Sequence, residues 1–357
     1  MTSQRALLRA DASVRVGTGH VQRCLTLAGA LRSRGWTTVL AGRYPGELAA
    51  LAVRSGHQAI EIPEGLAGEA EPGWLRSRHL LDDVSLLVTD GYELTATWHR
   101  AVGRPRPVML AIDDLAREPL EVDIVLNQNL GADADRYRGL IPARATVLAG
   151  PRYSLVRPEF PAARHGLAPR SGQVTRILVF LSGADEHDVT RRAAAAALVA
   201  GVPVDIVVGA AYPFLPGLRA WAADHPLIEI YSNTTRMAHL MAAADLAIGA
   251  PSSTSWERCT LGLPAVLLTL ADNQVEVAGM LADAGAAVSL GWHTEVTVER
   301  LEAAVADLLH DPERVRAMSH AAAGITDGLG ADRVATALET LVDTRNPRNL
   351  QKEHSLD

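Results

Sequence analysis

Of the 357 residues only two are cysteine, Cys24 and Cys259, each inside a helical pattern and far from the other. That excludes a disulfide framework, and both read as buried, reduced thiols of a cytoplasmic protein. No CxxC, HExxH or clustered acidic run occurs, so no metal site is expected and no cofactor is implied. No uncharged apolar stretch approaches the roughly 18 residues of a membrane span, so no membrane partner is expected. The opening MTSQRALLRADAS has an Arg inside its short apolar run and no cleavage site, which reads as a strand and not as a signal peptide. The 34 basic and 41 acidic residues, net −7, are spread along the whole length. Without a Lys/Arg block or a basic stripe interleaved with aromatics, nucleic acid is not an expected partner.

What the chain has is apolar mass in a regular rhythm. With 48% hydrophobic residues it exceeds the length of about 250–300 residues at which a single core stops growing, so two domains are expected. Short β-rich runs alternate with helical patterns: strand Ala6–Arg9, helix His20–Arg34, strand Thr37–Ala41, helix Glu47–Arg54, and strands Gln58–Ile62, Leu86–Thr89 and Val108–Ile112. The rhythm restarts at Arg176–Leu181 and continues through Val204–Val208, Ile228–Tyr231, Leu246–Ile248 and Ala265–Leu268. Apolar strands alternating with helices predict an α/β protein with parallel sheets covered on both faces. The Pro-, Gly- and Arg-rich stretch between the halves predicts a linker. The expected division is a Rossmann-like domain over 1–158, a linker over 159–173, a second Rossmann-like domain over 174–345 and a polar tail over 346–357. Two doubly wound sheets place ligand sites at the carboxyl ends of their strands, here facing a shared cleft.

The polar residues at those strand ends are the candidates for chemistry. Gly17-Thr18-Gly19-His20 opens the first helix, where glycines allow close backbone approach and the helix end offers free N–H groups; the same turn also reads as a simple cap. Pro251-Ser252-Ser253-Thr254-Ser255-Trp256-Glu257 precedes another helix. Its hydroxyls suit a phosphate and Glu257 a ribose diol, while Thr254-x-x-Glu257 equally fits a capping box. Asp272-Asn273-Gln274, Asp90-Gly91-Tyr92 and Asp113-Asp114 follow three further strands, as turn residues or as groups facing a ligand.

Taken together, RADAS-x-x-x-GTGHVQRCLTLA, TDGYELTATW, AIDDLA, LAGPRYSLVRPEF, MAHLMAAADLAIGAPSSTSWERCTLGLP and ADNQ, in order from Arg9 to Gln274, resemble the UDP-sugar hydrolases of pseudaminic acid biosynthesis. The resemblance implies a GT-B-like fold of two facing Rossmann-like domains and a small-molecule UDP-sugar as partner. It also implies metal-independent hydrolysis of a UDP-linked 2,4-diacetamido-2,4,6-trideoxyhexose with inversion. His20 matches that family's catalytic histidine. Gly17, Gly19, Tyr92 and Asn273 match sugar-site positions, Ser252 and Ser253 match the turn near the diphosphate, and Glu257 matches the ribose-binding glutamate. The chain departs from the family pattern at Gly91, at Ser182 of the segment Ser182–Asp185, and at Pro251. A glycosyltransferase using the same donor and a non-catalytic nucleotide-sugar binder are the competing readings.

Overall fold

The computed structural model describes residues 4–13 and 17–345; the expected tail over 346–357 lies outside them. Two compact units emerge. In the first, β1 (Arg5–Ala10), α1 (Gly19–Arg32), β2 (Thr37–Gly42), α2 (Gly46–Arg54) and β3 (Gln58–Glu61) are followed by α3 (Ala70–Ser77), β4 (Val84–Asp90), α4 (Ala96–Ala101), β5 (Val108–Ile112), β6 (Ile124–Asn127) and β7 (Thr146–Ala149). The strands form one sheet in the order β3-β2-β1-β4-β5-β6-β7, every pairing parallel. Successive side chains leave opposite faces, so Leu7 enters one core with Leu87, Trp98 and Met109, and Leu8 enters another with Leu27, Leu31 and Val88. Because both faces are covered, β5 is buried at all five positions, which accounts for its unbroken apolar run.

The second unit carries α5 (Glu159–Arg164), β8 (Ile177–Phe180), α6 (Val189–Ala197), β9 (Val204–Val208), α7 (Leu215–Ala222), β10 (Ile228–Ser232), α8 (Met237–Ala243) and β11 (Leu246–Gly249). It continues with α9 (Thr254–Thr260), β12 (Ala265–Thr269), α10 (Val275–Asp283), β13 (Ala287–Trp292), α11 (Val298–Leu309) and α12 (Pro312–Ile325). Its parallel sheet runs β10-β9-β8-β11-β12-β13. The alanine run of α6 favours helix, and its small buried faces at Ala193, Ala194 and Ala197 pack in the core with Ile177, Val179 and Ile206. Thr297 and Asp311 cap α11 and α12 by accepting the amides of Arg300 and Arg314, each such cap contributing about 1 kcal/mol.

The unit boundaries differ from the expected 1–158, 159–173 and 174–345. The second unit spans Val156–Gly328, and the last helix, α13 (Gly330–Arg345), belongs to the first. Val334, Ala335, Leu338 and Val342 join the core of Leu27 and Leu31, and Arg345 grips Asp123 through two bonds. The amphipathic pattern of 330–345 specifies a helix but not which sheet it covers. The Pro/Gly-rich stretch 159–173 is likewise part of the second unit. Phe160 is fully buried, Arg164 donates to the carbonyls of Thr260, Ala323 and Thr326, and Arg170 to those of Met241, Ala244 and Gly262. Arginine bonds to backbone carbonyls replace the apolar periodicity that would have announced this packing. Among the described residues no helix is long and apolar enough to cross a membrane.

Candidate active site

In both sheets the strand order reverses at one point, between β1 and β4 and between β8 and β11, and such a reversal opens a crevice beyond the carboxyl ends of the strands. In the first unit the turn into α1 and the end of β4 meet there. Gly17 holds φ +79°, a conformation that favours glycine, and its amide donates to the Ser13 carbonyl. Gly19 is the first residue of α1. The chain entering this turn is anchored by Arg9, wholly buried, whose guanidinium is held by Glu71 (2.5 Å) and Asp11 (2.6 Å), while Asp11 also accepts the Arg43 amide. The RADAS segment is therefore a charged clamp between β1, β2 and α3.

His20 is buried, and its Nδ1 is 2.5 Å from Oδ1 of Asp90, the last residue of β4. Burial pushes the Asp90 carboxyl up, but Arg23 and His20 outweigh it and hold the group at about 2. Asp90 is thus an acceptor only, so in the neutral imidazole Nδ1 carries the hydrogen toward it and the lone pair is on Nε2. Arg23, one helical turn on, closes on Asp90 through Nε (2.5 Å) and Nη2 (2.7 Å), with Nη2 also 3.1 Å from His20 Nδ1. Its third nitrogen, Nη1, donates to Asp114 Oδ2 at 3.2 Å. The Tyr92 ring meets the imidazole edge-on at 5.3 Å and is exposed. The Cys24 thiol, 3.9 Å from Asp90, is pushed well up by burial and by that carboxylate, which leaves it unreactive. An imidazole oriented by a buried carboxylate is equipped, in its neutral form, to accept a proton at the distal nitrogen.

In the second unit the segment between β11 and α9 is held from below by Arg258. Its Nη2 donates to the Ala250 carbonyl and to Ser255 Oγ, both at 2.9 Å. A side chain at Gly249 would come within 2.8 Å of Arg258 Nη1 and 2.9 Å of the Phe180 carbonyl, so glycine is what admits the guanidinium. Burial lowers the Arg258 guanidinium to about 10. Ser253 is the N-cap residue and is exposed, and Ser252 Oγ shares a hydrogen bond with Thr254 Oγ1. The capping box that Thr254-x-x-Glu257 allows does not form. Instead Glu257 Oε1 accepts from Arg157 Nε at 2.9 Å, while Oε2 is buried with no hydrogen-bond partner. Burial raises the Glu257 carboxyl, and Arg157 only partly opposes it. Leaving a buried acceptor unpaired costs about 1–3 kcal/mol, so Glu257 is not explained by stability. Asn273 is exposed in the 3-10 turn Asp272–Gln274 beyond β12, whose geometry is fixed by Gln274 accepting the Leu270 amide. At the end of β8 the carboxylate of Asp185 accepts the amides of Val189 and Thr190. The N-terminus of α6 is thereby already satisfied by the protein's own anion.

The structure therefore brings His20, Tyr92, Gly17 and Gly19 together in the first unit, and sets Ser252, Ser253 and Glu257 on one turn of the second, with Asn273 on the next strand-end. Arg23 and Arg157 were not among the expected site residues. Arg23 could have been found, since it lies three residues after His20 and shares its helix face. Arg157 could not, because its partner Glu257 is 100 residues away.

Residues 202–334 match the glycosyltransferase family 28 C-terminal domain. The chain is 24% identical over 283 residues to the UDP-2,4-diacetamido-2,4,6-trideoxy-beta-L-altropyranose hydrolase of Campylobacter jejuni, which covers 79% of this chain and 97% of that protein. It is 27% identical over 212 residues to the spore coat polysaccharide biosynthesis protein SpsG of Bacillus subtilis, over 58% of this chain and 62% of SpsG. Among solved structures, MurG of Acinetobacter baumannii superposes with a TM-score of 0.67 at 18% identity, over 94% of this chain and 99% of MurG. By fold the chain is GT-B-like, two Rossmann-like domains in succession, and over residues 202–334 it is similar to the C-terminal domain of glycosyltransferase family 28.

Proposed function

We propose that this protein is an enzyme that hydrolyses a UDP-linked 2,4-diacetamido-2,4,6-trideoxyhexose to the free sugar and UDP, in the cytoplasm, as a step of nonulosonic acid biosynthesis of the pseudaminic type. The observation that carries the reading is the His20–Asp90 contact of 2.5 Å, which orients the imidazole with Nδ1 on the carboxylate and suits Nε2 to the role of base. The Campylobacter jejuni relative supplies the substrate class. In the reaction a water gives one proton to Nε2 as its oxygen bonds to the anomeric carbon. The bond from that carbon to the diphosphate oxygen breaks, the electron pair leaves with UDP, and the anomeric configuration inverts. General-base help of this kind is worth about 10²–10⁴-fold. Ser252 and Ser253 hold the diphosphate, Glu257 the ribose, and Gly17, Gly19, Tyr92 and Asn273 the sugar.

Glu257 makes a direct test of the nucleotide role. Its unpartnered Oε2 suits a ribose hydroxyl donor, and a hydrogen bond to a charged group is worth about 1.5–3 kcal/mol. Glu257→Gln should weaken UDP binding about 10- to 100-fold and reduce the preference for UDP over 2′-deoxy-UDP in calorimetric titrations. The melting temperature should not fall, because no cap is lost and glutamine still accepts from Arg157. Unchanged UDP affinity would refute the ribose role.

A second reading, a glycosyltransferase using the same donor, is favoured by the family 28 match. Incubation with candidate UDP-sugars and no acceptor, followed by NMR, separates the two. Free sugar and UDP in stoichiometric amounts support the hydrolase, and turnover only when an acceptor alcohol is added supports the transferase.

A further inference from the structure

Asp114 has no part in the reaction as written above, yet it is tied to the base. Three buried side-chain atoms among the described residues lack a hydrogen-bond partner, and Asp114 Oδ1 is one of them. Its other oxygen takes, among the described residues, only Arg23 Nη1, at 3.2 Å. The charge of Arg23 does not need it: Asp90 already meets the guanidinium at Nε and Nη2 through bonds of 2.5 and 2.7 Å and neutralises it, leaving Nη1 to Asp114. Asp114 is thus a second carboxylate around one buried guanidinium, kept with one oxygen unsatisfied. An arrangement of this kind costs stability, so folding does not account for it.

The charge count supplies an account. Among the described residues, the groups facing the imidazole are Arg23 and Cys24 from α1, Asp90 at the end of β4 with Tyr92 two residues on, and Asp114 beyond β5 through Arg23. Asp113 is turned away, its carboxylate accepting the amides of Leu115 and Ala116. The Cys24 thiol stays protonated. With the imidazole neutral, Arg23, Asp90 and Asp114 sum to one negative charge, and a proton on Nε2 brings the cluster to neutrality. Without Asp114 the same proton would leave the cluster positive.

We propose that Asp114 is a positioning residue for the reaction. Through Arg23 Nη1 it fixes the guanidinium that holds Asp90 against His20, and it supplies the negative charge that the proton taken from water neutralises. The inference rests on the reading of His20 as the base. It predicts that Asp114 acts on the step in which charge appears on the imidazole and not on ligand binding.

The test uses the full chain as wild type, Asp114→Asn, Asp114→Glu and His20→Asn. Asp114→Asn keeps a group able to accept from Arg23 and removes only the charge. At effective dielectric values near 20, a unit charge several ångströms away is worth about 10- to 100-fold. The expected result is a fall of that size in kcat, with KM for the UDP-sugar, the Kd for UDP and the melting temperature near wild type, and partial recovery in Asp114→Glu. The NMR titration of the His20 ring, which needs no substrate, should move to lower pH in Asp114→Asn. An unmoved titration, or wild-type kcat in Asp114→Asn while His20→Asn is inactive, overturns the inference and leaves the base intact. A rise in KM alone would make Asp114 a substrate contact, and a lowered melting temperature with an unmoved titration would make it structural; either overturns it. Near-normal kcat in His20→Asn overturns the reading of the base, and the inference with it.

Discussion

Replacing His20 by asparagine is expected to lower kcat and kcat/KM together by about 10²–10⁴-fold. Asparagine can still donate a hydrogen bond to Asp90, so the buried ion pair of Asp90 with Arg23 (2.5 Å) survives and the melting temperature should change little. UDP affinity should stay near wild type, because the residues assigned to the nucleotide, Ser252, Ser253 and Glu257, all lie in Val156–Gly328. A base acts in the transition state and not on the ground-state complex, which is why the loss should appear in kcat and not in KM alone. Steady-state rates and calorimetric UDP titrations on the purified variant check both halves. Near-normal kcat would make His20 a structural residue.

Asp90→Asn is expected to do damage on two levels. Where an aspartate orients a catalytic histidine, its conversion to asparagine costs about 10⁴-fold in kcat, because the amide stabilises the wrong tautomer. A loss of comparable order is expected here, since Oδ1 of Asp90 is what keeps the hydrogen on His20 Nδ1. The same change strips Arg23 of its closest counter-charge in a fully buried setting, and breaking such a pair costs about 3–5 kcal/mol. A pH signature follows. Asp90 is held at about 2 in the folded protein, below the value of about 3.9 of a free aspartate. A depressed carboxyl contributes stability above pH about 4, lost as the pH falls toward 2. Denaturation midpoints measured between pH 2 and 6 should therefore fall more steeply in the wild type than in Asp90→Asn. Parallel curves would mean that Asp90 contributes no linked stability.

Much of this architecture is legible in the chain because parallel strands buried on both faces advertise themselves as apolar runs. The runs around β1, β2, β5, β9 and β12 coincide with observed strands to within a residue or so at each end. The strands β6, β7 and β13 are harder to see. Two have four residues, and β13 is partly exposed along most of its length, so none offers a long apolar block. The return of α13 to the first unit is a tertiary choice that local periodicity does not encode. In the candidate site, position was readable and partnership was not. His20, Tyr92, Asp90 and Asp114 all fall at helix starts or strand ends, where the doubly wound topology puts ligands. That Arg23 ties three of them into one charged cluster depends on side-chain reach across 67 and 91 residues of chain. The turn Thr254–Glu257 illustrates the opposite hazard. A perfect local capping pattern is overridden because Arg157 draws the carboxylate away from the helix end.

The central claim is that water, activated by His20, attacks the anomeric carbon and releases UDP. Turnover of a UDP-linked 2,4-diacetamido-6-deoxy sugar in ¹⁸O-water, with no acceptor present, tests it most directly. The account predicts one ¹⁸O in the free sugar, none in UDP, and a first-formed anomer of inverted configuration by NMR. Label in the β-phosphate of UDP, or no UDP release until an acceptor alcohol is supplied, would contradict it.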